Sequence, residues 1–396
     1  MAKRVVLAYS GGLDTSVAVK WLQEERGVEV IALAADVGQG GDFEAIRERA
    51  LAAGAVEAMV ADCREEYARD YVAPALKANA LYEGKYPLVS ALSRPVIAKH
   101  LVTAAKEHGA DGIAHGCTGK GNDQVRFEVS VRALNPHLEI LAPVRTWGMT
   151  REDAILYAYD HGIPITVTKE KVYSIDDNLW GRAIECGEME DPWAKPPQGV
   201  WQMTVPTASE PREIVIAFEA GVPVSVDGRA LPMHELVTEL NQVVGSYGWG
   251  RIDMVENRRV GIKSRETYEC PAALALILAH TDLESITLER DLAREKARLE
   301  PRYAELIYDG LWFSPLKQAL DAFVDQSQRF VTGEVRLLLE PNSCRVVGRR
   351  SEHSLYDYGL ATYDAADAFR HSDAEGFVRL WGLGIETWAQ RQGGAE

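Results

Sequence analysis

Short apolar runs alternate with amphipathic helical patterns over the residues up to about 165. Each run is followed by a polar or glycine-containing turn, as expected for strands that are buried on both faces. A parallel sheet with helices on both sides produces this alternation. The candidate strands are residues 5–9, 28–34, 56–61, 112–115 and 138–141. The pattern predicts an α/β fold with an N-terminal doubly wound parallel sheet and a domain boundary near residue 165.

Helical patterns fill the intervals between these strands. The first, residues 15–25, places Val17, Trp21 and Leu22 on one apolar stripe and charged residues opposite it. The last predicted helix begins with Thr150 and Asp153 at capping-box spacing, and Gly162 ends it. The predicted helices are residues 15–25, 42–53, 65–80, 95–107 and 150–161.

Beyond Pro164 the pattern changes to shorter alternating strands, hairpin turns such as Val226-Asp227-Gly228, and a Pro- and Trp-rich loop at 191–201. We predict a second, α+β domain over 166–362, with one long helical stretch at 271–308. Residues 363–396 form a predicted C-terminal helical arm. Its exposed-helix composition includes large aromatic residues that need a surface to cover, so we expect it to promote oligomerisation.

The composition limits the partners of the chain. Its formal net charge of −16 opposes attraction to nucleic acid or to anionic lipid, so neither is expected as a partner. The five cysteines are scattered without metal-ligand spacing, which favours free thiols in a reducing compartment. The N-terminus lacks the apolar length of a signal peptide, and no run is long enough to span a membrane. We expect a cytoplasmic protein.

The strongest local signal is Ser10-Gly11-Gly12-Leu13-Asp14-Thr15-Ser16, between the first strand and the first helix. A helix N-terminus with glycines and hydroxyl side chains favours a bound anion. The alternative is an ordinary tight turn with Asp14 or Thr15 as the helix cap. A Walker A lysine is missing, so the charge of a bound phosphate must be met by a metal or by basic groups elsewhere.

This loop resembles the pyrophosphate-binding loop of the PP-loop ATPases, which cleave ATP between the α and β phosphates and transfer AMP to a substrate oxygen. A second glycine-rich loop follows the fourth strand, from His115 and Gly116 through Thr118, Asn122 and Asp123 to Arg126. Loops at the carboxyl ends of adjacent parallel strands converge on one crevice, so we expect both loops to face one ligand. A glycine turn in which Asn122 and Asp123 cap the next helix is the structural alternative.

The second loop resembles that of the argininosuccinate synthases, and the similarity extends over almost the whole chain. The matching stretches are residues 36–40, 82–86, 173–176, 191–193, 255–258, 263–265 and 268–269. The resemblance implies an adenine nucleotide alpha hydrolase-like domain, a synthetase domain and a homotetramer. It also implies an AMP-forming ligase of arginine biosynthesis that joins citrulline to aspartate through citrullyl-AMP. ATP would be a substrate with Mg²⁺, and no protein ligand for the metal is identified.

The resemblance also assigns binding residues. The ATP-binding set is Ala8, Tyr9, Ser10, Gly11, Gly12, Leu13, Asp14, Thr15, Ser16, Ala35 and Gly116, with no covalent catalytic residue and with positioning and charge stabilisation by Ser10, Asp14, Thr15 and Ser16. The aspartate-binding set is Thr118, Asn122 and Asp123. The citrulline-binding set is Tyr86, Asn122, Arg126, Ser174, Glu256 and Tyr268.

The chain departs from the family pattern at Ala91 and Ala183, where the family commonly has serine. Each change removes a hydroxyl, and a lost hydrogen bond of this kind costs about 0.5–1.5 kcal/mol. Neighbouring Ser90 or Ser93, or a water, is a candidate substitute. Two alternative functions are a nucleotide-binding sensor without turnover and a tRNA-thiolating PP-loop enzyme. The acidic charge and the scattered cysteines disfavour the second.

Overall fold

The computed structural model describes residues 2–165 and 173–393. The chain divides into two compact units, Met1–His353 and Ser354–Glu396. The predicted domain boundary at 165–166 adjoins residues 166–172, which lie outside the described residues. Within the described ranges, no helix is both long and apolar enough to cross a membrane.

The N-terminal half contains a five-stranded parallel sheet, which confirms the predicted fold class. The strands are β1 (Arg4–Ala8), β2 (Glu29–Asp36), β3 (Glu57–Asp62), β4 (Gly112–Ala114) and β5 (Glu139–Leu141). Their order in the sheet is β3-β2-β1-β4-β5. All five predicted strands are present, and each end lies within two residues of its predicted position.

Helices cover both faces of this sheet. Alternate residues of β1 point to opposite faces: Val5 and Leu7 pack in one cluster, and Val6 packs in another. The helical segments are α1 (Leu13–Arg26), α2 (Phe43–Ala52), α3 (Arg64–Tyr67), a π-helical turn (Ala68–Val72), α4 (Ala73–Lys77), α5 (Val89–Glu107), α6 (Asp123–Leu134), α7 (Pro143–Thr146) and α8 (Arg151–Asp160). Residues of α1 and α8 pack on the first face, and residues of α5 and α6 pack on the second.

Two helix boundaries bear on the predictions. The capping box of α8 is present, because the Thr150 side chain accepts from Asp153 N and Asp153 accepts from Thr150 N. Helix α5 begins six residues before the predicted start at residue 95, so Pro95 lies inside it. Pro95 is the seventh residue of α5 and lies beyond the first turn, so it removes the intrahelical hydrogen bond that an N–H group there would donate to the Ala91 carbonyl oxygen.

From residue 173 onward, the first unit contains two antiparallel sheets, four α-helices and three short 3₁₀ segments (Gly187–Glu190, Gln198–Val200 and Gln328–Phe330). The strands are β6 (Ser174–Asn178), β7 (Gly181–Glu185), β8 (Arg212–Glu219), β9 (Val222–Val226), β10 (Arg229–Ala230), β11 (Arg251–Asn257), β12 (Lys263–Glu269), β13 (Gly333–Glu340) and β14 (Ser343–Arg350). Their orders are β11-β12-β7-β6 and β10-β9-β8-β13-β14. The predicted turn at Asp227-Gly228 joins β9 to β10, and both turn residues have positive φ.

The helices of this part are α9 (Met233–Gly245), α10 (Pro271–Thr287), α11 (Arg290–Tyr308) and α12 (Pro315–Ser327). The single helix predicted for 271–308 is therefore wrong. The chain breaks between α10 and α11, where Glu289 has extended backbone angles and its side chain accepts from Asp291 N and Leu292 N. That capping carboxylate starts a new helix, since it satisfies N–H groups that have no intrahelical partner.

The second unit contains α13 (Tyr358–Ala361) and α14 (Ser372–Arg391). None of the described residues of α14 is buried. Its large aromatic residues are exposed, including Phe377 at 62% and Trp381 at 81%.

Candidate active site

The first glycine-rich loop forms the connection between β1 and α1. Helix α1 has Gly12 as its N-cap, so no side chain at this position covers the first N–H groups of the helix. Gly11 adopts a φ of 75°, a conformation that favours glycine. The hydroxyls of Ser10 and Thr15 lie 3.2 Å apart at the start of the helix. N–H groups and hydroxyls therefore converge where the helix dipole favours negative charge.

A cation contacts this loop from α2. The Arg49 guanidinium donates to the Gly11 carbonyl oxygen at 2.6 Å through Nη1. Because a Walker A lysine is missing, the charge of a bound phosphate is expected to be met by a metal or by basic groups elsewhere, and Arg49 is positioned as one such basic group.

The second glycine-rich loop contacts the first. The topological switch point of the sheet lies between the adjacent strands β1 and β4. The two loops follow the carboxyl ends of these two strands. A Cβ added to Gly116 would lie 3.0 Å from Thr15 Cγ2. The absence of a side chain at residue 116 therefore permits the close approach of the loops.

A cavity of about 370 Å³ opens beside the two loops. Its residues come from the nucleotide loop, the second loop, the turn before α5, α5, α6, and the sheet that contains β6, β7, β11 and β12 with the residue after β11. They are Ser10, Tyr86, Ser90, Arg94, Gly116, Cys117, Thr118, Gly121, Asn122, Asp123, Arg126, Ser174, Ile175, Asp176, Ala183, Glu185, Glu256, Arg258, Glu266 and Tyr268.

Two arginines control the charge of Asp123 at this cavity. Arg94 Nη2 donates to Asp123 at 2.7 Å and to Asp176 at 2.6 Å, and Arg126 Nη1 donates to Asp123 at 2.9 Å. Burial alone would raise the pKa of Asp123, but the charges of Arg94 and Arg126 lower it to about 2. Asp123 is therefore an anion at neutral pH, as recognition of an ammonium group requires.

Glu256 differs from Asp123, because its pKa is raised and not lowered. Its side chain is 2% exposed, and burial followed by the charge of Glu266 raises its pKa to about 8. Tyr308 donates to Glu256 Oε1 at 2.8 Å, and the Tyr268 hydroxyl lies 3.1 Å from Oε2. The Tyr268 hydroxyl also contacts Glu266 at 2.7 Å, and its single hydrogen serves only one of the two carboxyl groups at a time.

The cavity as a whole is short of positive charge. Three arginines and five carboxyl side chains line it. Arg258 contacts two of these carboxyls, Glu185 and Glu266, yet burial and the charge of Glu266 still raise the pKa of Glu185. A ligand that carries ammonium groups would therefore favour the ionised form of the carboxyl groups whose pKa is raised here.

The structure brings most of the predicted substrate residues together. All three of the predicted aspartate set and all six of the predicted citrulline set line the cavity, with Ser10 and Gly116 of the predicted ATP set. Ala8, Tyr9, Gly11, Gly12, Leu13, Asp14, Thr15, Ser16 and Ala35 lie outside that lining, at the carboxyl ends of β1 and β2 and the start of α1.

The two positions at which the chain lacks the serine of the family pattern, Ala91 and Ala183, differ in location. Ala183 lies on β7 and lines the cavity, whereas Ala91 is buried in α5 and does not. Of the two neighbouring serines, Ser90 lines the cavity. Ser93 is fully buried and donates to the Ser90 carbonyl at 3.0 Å, so it is a structural residue.

Several lining residues were not predicted from the sequence. Arg94 immediately precedes Pro95, close to Ala91, where the chain departs from the family pattern. Arg258 and Asp176 lie within stretches that match the family, and charge alone would have justified naming them. Glu185 and Glu266 lie on β7 and β12 and gave no signal in the sequence.

Cys117 lines the cavity without the environment of a nucleophile. Burial, followed by the charge of Asp123, raises the pKa of its thiol well above the usual value. Since the thiolate is the reactive form, this environment disfavours nucleophilic chemistry.

An anion-binding site at a helix N-terminus lies next to a charged cavity. This arrangement suits an enzyme that activates one small molecule and joins it to another. The protein is an ATP-dependent ligase. Its N-terminal HUP domain, residues 4–164, and its C-terminal domain, residues 173–388, match the family models described as the N-terminal HUP domain and the C-terminal domain of arginosuccinate synthase. The chain belongs to the argininosuccinate synthase family.

Two curated relatives support this family membership over nearly the full length. The argininosuccinate synthase of Trichodesmium erythraeum is 56% identical over 394 residues, which covers 98% of each chain. That of Halalkalibacterium halodurans is 55% identical over 390 residues, which covers 98% of this chain and 95% of the relative.

Proposed function

We propose that the chain joins L-citrulline to L-aspartate at the expense of ATP, with argininosuccinate, AMP and diphosphate as products, in arginine biosynthesis. The observation that carries the proposal is that Ser10 of the nucleotide loop lines the same cavity as the predicted amino-acid residues. An activated substrate formed at the loop can then react with a second substrate without leaving the site.

The reaction proceeds in two displacements. The ureido oxygen of citrulline attacks the α-phosphorus of ATP, the bond to the β-phosphate oxygen breaks, and diphosphate leaves. The aspartate amine then attacks the activated ureido carbon of citrullyl-AMP, and the carbon–oxygen bond to AMP breaks. Neither step requires a covalent protein intermediate, so the protein contributes mainly positioning and charge stabilisation.

The nucleotide binds at the β1–α1 connection in this proposal. The N–H groups at the start of α1, with the hydroxyls of Ser10, Thr15 and Ser16, hold the phosphates. Asp14 contributes the carboxyl group of this loop. Backbone around Ala8, Ala35 and Gly116 borders the rest of the nucleotide.

Mg²⁺ would enter bound to the phosphates of ATP. The Asp14 carboxylate and the Ser10 and Thr15 hydroxyls supply oxygen, the ligand type that Mg²⁺ prefers. In the described residues, no group of three or more His, Cys, Asp or Glu side chains is arranged to hold a metal. The phosphate oxygens of ATP would be its main ligands, and the ion would offset phosphate charge.

Citrulline and aspartate occupy the charged cavity. Glu256 pairs with the citrulline ammonium group, and Arg126 pairs with the carboxylate. The contacts of Arg126 within the described residues use Nε and Nη1, which leaves Nη2 for this ligand. Tyr86, Ser174 and Tyr268 complete the citrulline site. Asp123 pairs with the aspartate ammonium group before the amine is deprotonated, with Thr118 and Asn122 beside it.

We further propose a cytoplasmic homotetramer in which the C-terminal arm contributes to assembly. The exposed aromatic residues of α14 support this proposal, because large apolar side chains on a helix gain stability when another surface covers them.

The decisive experiment is an omission assay. Purified protein is incubated with Mg-ATP, citrulline and aspartate, each omitted in turn, and AMP, diphosphate and argininosuccinate are measured by mass spectrometry. AMP and argininosuccinate should appear in equal amounts only with all three substrates. Nucleotide binding without AMP in any mixture would contradict the ligase proposal and support a sensor.

A further inference from the structure

We propose that Tyr308, at the end of α11, is a positioning residue for citrulline: its hydroxyl links Asn122 to Glu256 and fixes both groups at the cavity. This inference rests on the proposed function. Tyr308 itself does not line the cavity, so it acts through the two residues that it holds.

The directions of the hydrogen bonds follow from their partners. Asn122 Oδ1 accepts from Arg259 N at 2.9 Å, so the amide NH₂ group of Asn122 points towards Tyr308. Asn122 Nδ2 donates to the Tyr308 hydroxyl at 2.8 Å. The hydroxyl hydrogen is then directed to Glu256 Oε1 at 2.8 Å. One hydroxyl thus sets the orientation of the amide and supplies a donor to the carboxyl group.

The tyrosine ring is held rigidly. It stacks on Tyr82 with ring centroids 3.6 Å apart and planes 3° apart, and the Arg126 guanidinium lies 4.8 Å from its centroid. Arg126 Nε also donates to the Tyr308 carbonyl oxygen at 3.0 Å. Tyr308 therefore contacts Asn122, Arg126 and Glu256, three of the six residues predicted to bind citrulline.

Close backbone packing reinforces this arrangement. Two residues after Tyr308, a Cβ added to Gly310 would lie 2.8 Å from Arg126 Cα, and Gly310 has a φ of 75°. The end of α11 is therefore pressed against the first turn of α6. This packing constrains the backbone that carries Tyr308, and the stack on Tyr82 constrains the ring.

The electrostatic consequence concerns Glu256. A hydroxyl that donates to a carboxylate stabilises the charged form, and Tyr308 opposes the burial that raises the pKa of Glu256. Without the hydroxyl, the carboxylate that pairs with the citrulline ammonium group becomes harder to form at neutral pH.

The test compares Tyr308→Phe with the matched control Tyr82→Phe. The first removes the linking hydroxyl and keeps the stacked ring; the second removes the neighbouring hydroxyl, which donates to the Asn257 carbonyl oxygen. KM for each substrate is measured from pH 6 to 9 with the full chain, and melting temperatures are recorded. We expect Tyr308→Phe to raise KM for citrulline about 10- to 100-fold, the effect of losing a hydrogen bond to a charged group.

Two further readouts separate positioning from general destabilisation. KM for ATP should stay within twofold of wild type, and the pH at which citrulline kcat/KM reaches its plateau should move upward in Tyr308→Phe alone. In a Glu256→Gln background, the effect of Tyr308→Phe on citrulline KM should shrink at least threefold, because the hydroxyl then has no carboxylate to stabilise.

An active Tyr308→Phe enzyme with wild-type citrulline KM and an unmoved pH profile would overturn the role of Tyr308 and leave the proposed function intact. Equal effects of Tyr308→Phe in both backgrounds would also overturn it. A wild-type chain that forms no argininosuccinate overturns the proposed function, and this inference with it.

Discussion

Replacing Glu256 with Gln tests whether the carboxylate of Glu256 binds the citrulline ammonium group. The substitution keeps the shape: one amide oxygen can accept from Tyr308, and the amide NH₂ can donate to Tyr268. It removes the carboxylate that we pair with the citrulline ammonium group. Because the pKa of Glu256 is raised to about 8, the empty wild-type site holds mostly the protonated acid at pH 7.

The size of the effect follows from this pKa. At pH 7 about a tenth of the acid is ionised, so binding a cation there costs about 1.4 kcal/mol of ionisation. Losing one partner of a buried charge pair costs roughly 2–5 kcal/mol. The difference, roughly 0.6–3.6 kcal/mol, corresponds to an increase in citrulline KM of about 3- to 400-fold at pH 7.

The pH dependence is the sharper signature. Ionisation of Glu256 rises about eightfold between pH 7 and pH 8.5, so the advantage of wild type over Glu256→Gln in citrulline kcat/KM should grow by about that factor. Steady-state assays of AMP formation at both pH values measure it. Glu305→Gln, an exposed change on α11, is the matched control. A wild-type-to-variant ratio that does not change with pH would refute the charge assignment.

The contribution of Glu256 to folding stability should fall as the pH rises, whereas its contribution to citrulline kcat/KM should increase. The unfolded chain releases the Glu256 proton near pH 4.5 and the folded chain near pH 8, so the folded state binds more protons between these values. The stability contribution of this group is present below pH 4.5 and is lost as the pH rises towards 8. Urea denaturation of Glu256→Gln should show a smaller decline across this window than wild type.

Three more predictions concern other parts of the molecule. Arg94→Met leaves Asp123 and Asp176 without their shared cation and should lower the free energy of unfolding by about 2–4 kcal/mol, since these partners are only partly buried; an unchanged urea midpoint would contradict the bridge. Ser90→Ala should raise citrulline KM about 2- to 12-fold if this hydroxyl compensates for Ala91, and a wild-type KM would exclude it. Trp381→Asp should reduce the mass measured by light scattering, whereas a monomeric wild-type chain would disprove assembly through the arm.

The parallel sheet could be predicted because its determinants are local. Strands such as β1 and β2 are short apolar runs buried on both faces, and this burial leaves a direct record in the sequence. The break between α10 and α11 was missed because Glu289 is not among the residues that most favour a helix N-cap, so the charged sequence after it reads as one continuous helix.

The cavity was predicted only where residues belong to recognisable motifs. The link from Asn122 to Tyr308 spans 186 positions, and the bridge from Arg94 to Asp176 spans 82. No local spacing encodes such contacts, because tertiary packing alone brings the partners together. Similarly, the raised pKa of Glu256 depends on burial and on Glu266, which a sequence does not display.

The link between Asn122 and Tyr308 also has a consequence for synthesis of the chain on the ribosome. Translation proceeds from the N-terminus, and domains generally fold as they emerge. The strands and helices of the nucleotide sheet are complete by about residue 160. The hydroxyl that orients Asn122 does not exist until residue 308 has been added, so a nascent chain acquires its nucleotide loop long before its amino-acid cavity. An incomplete chain of this length would therefore present a nucleotide loop without a complete citrulline site.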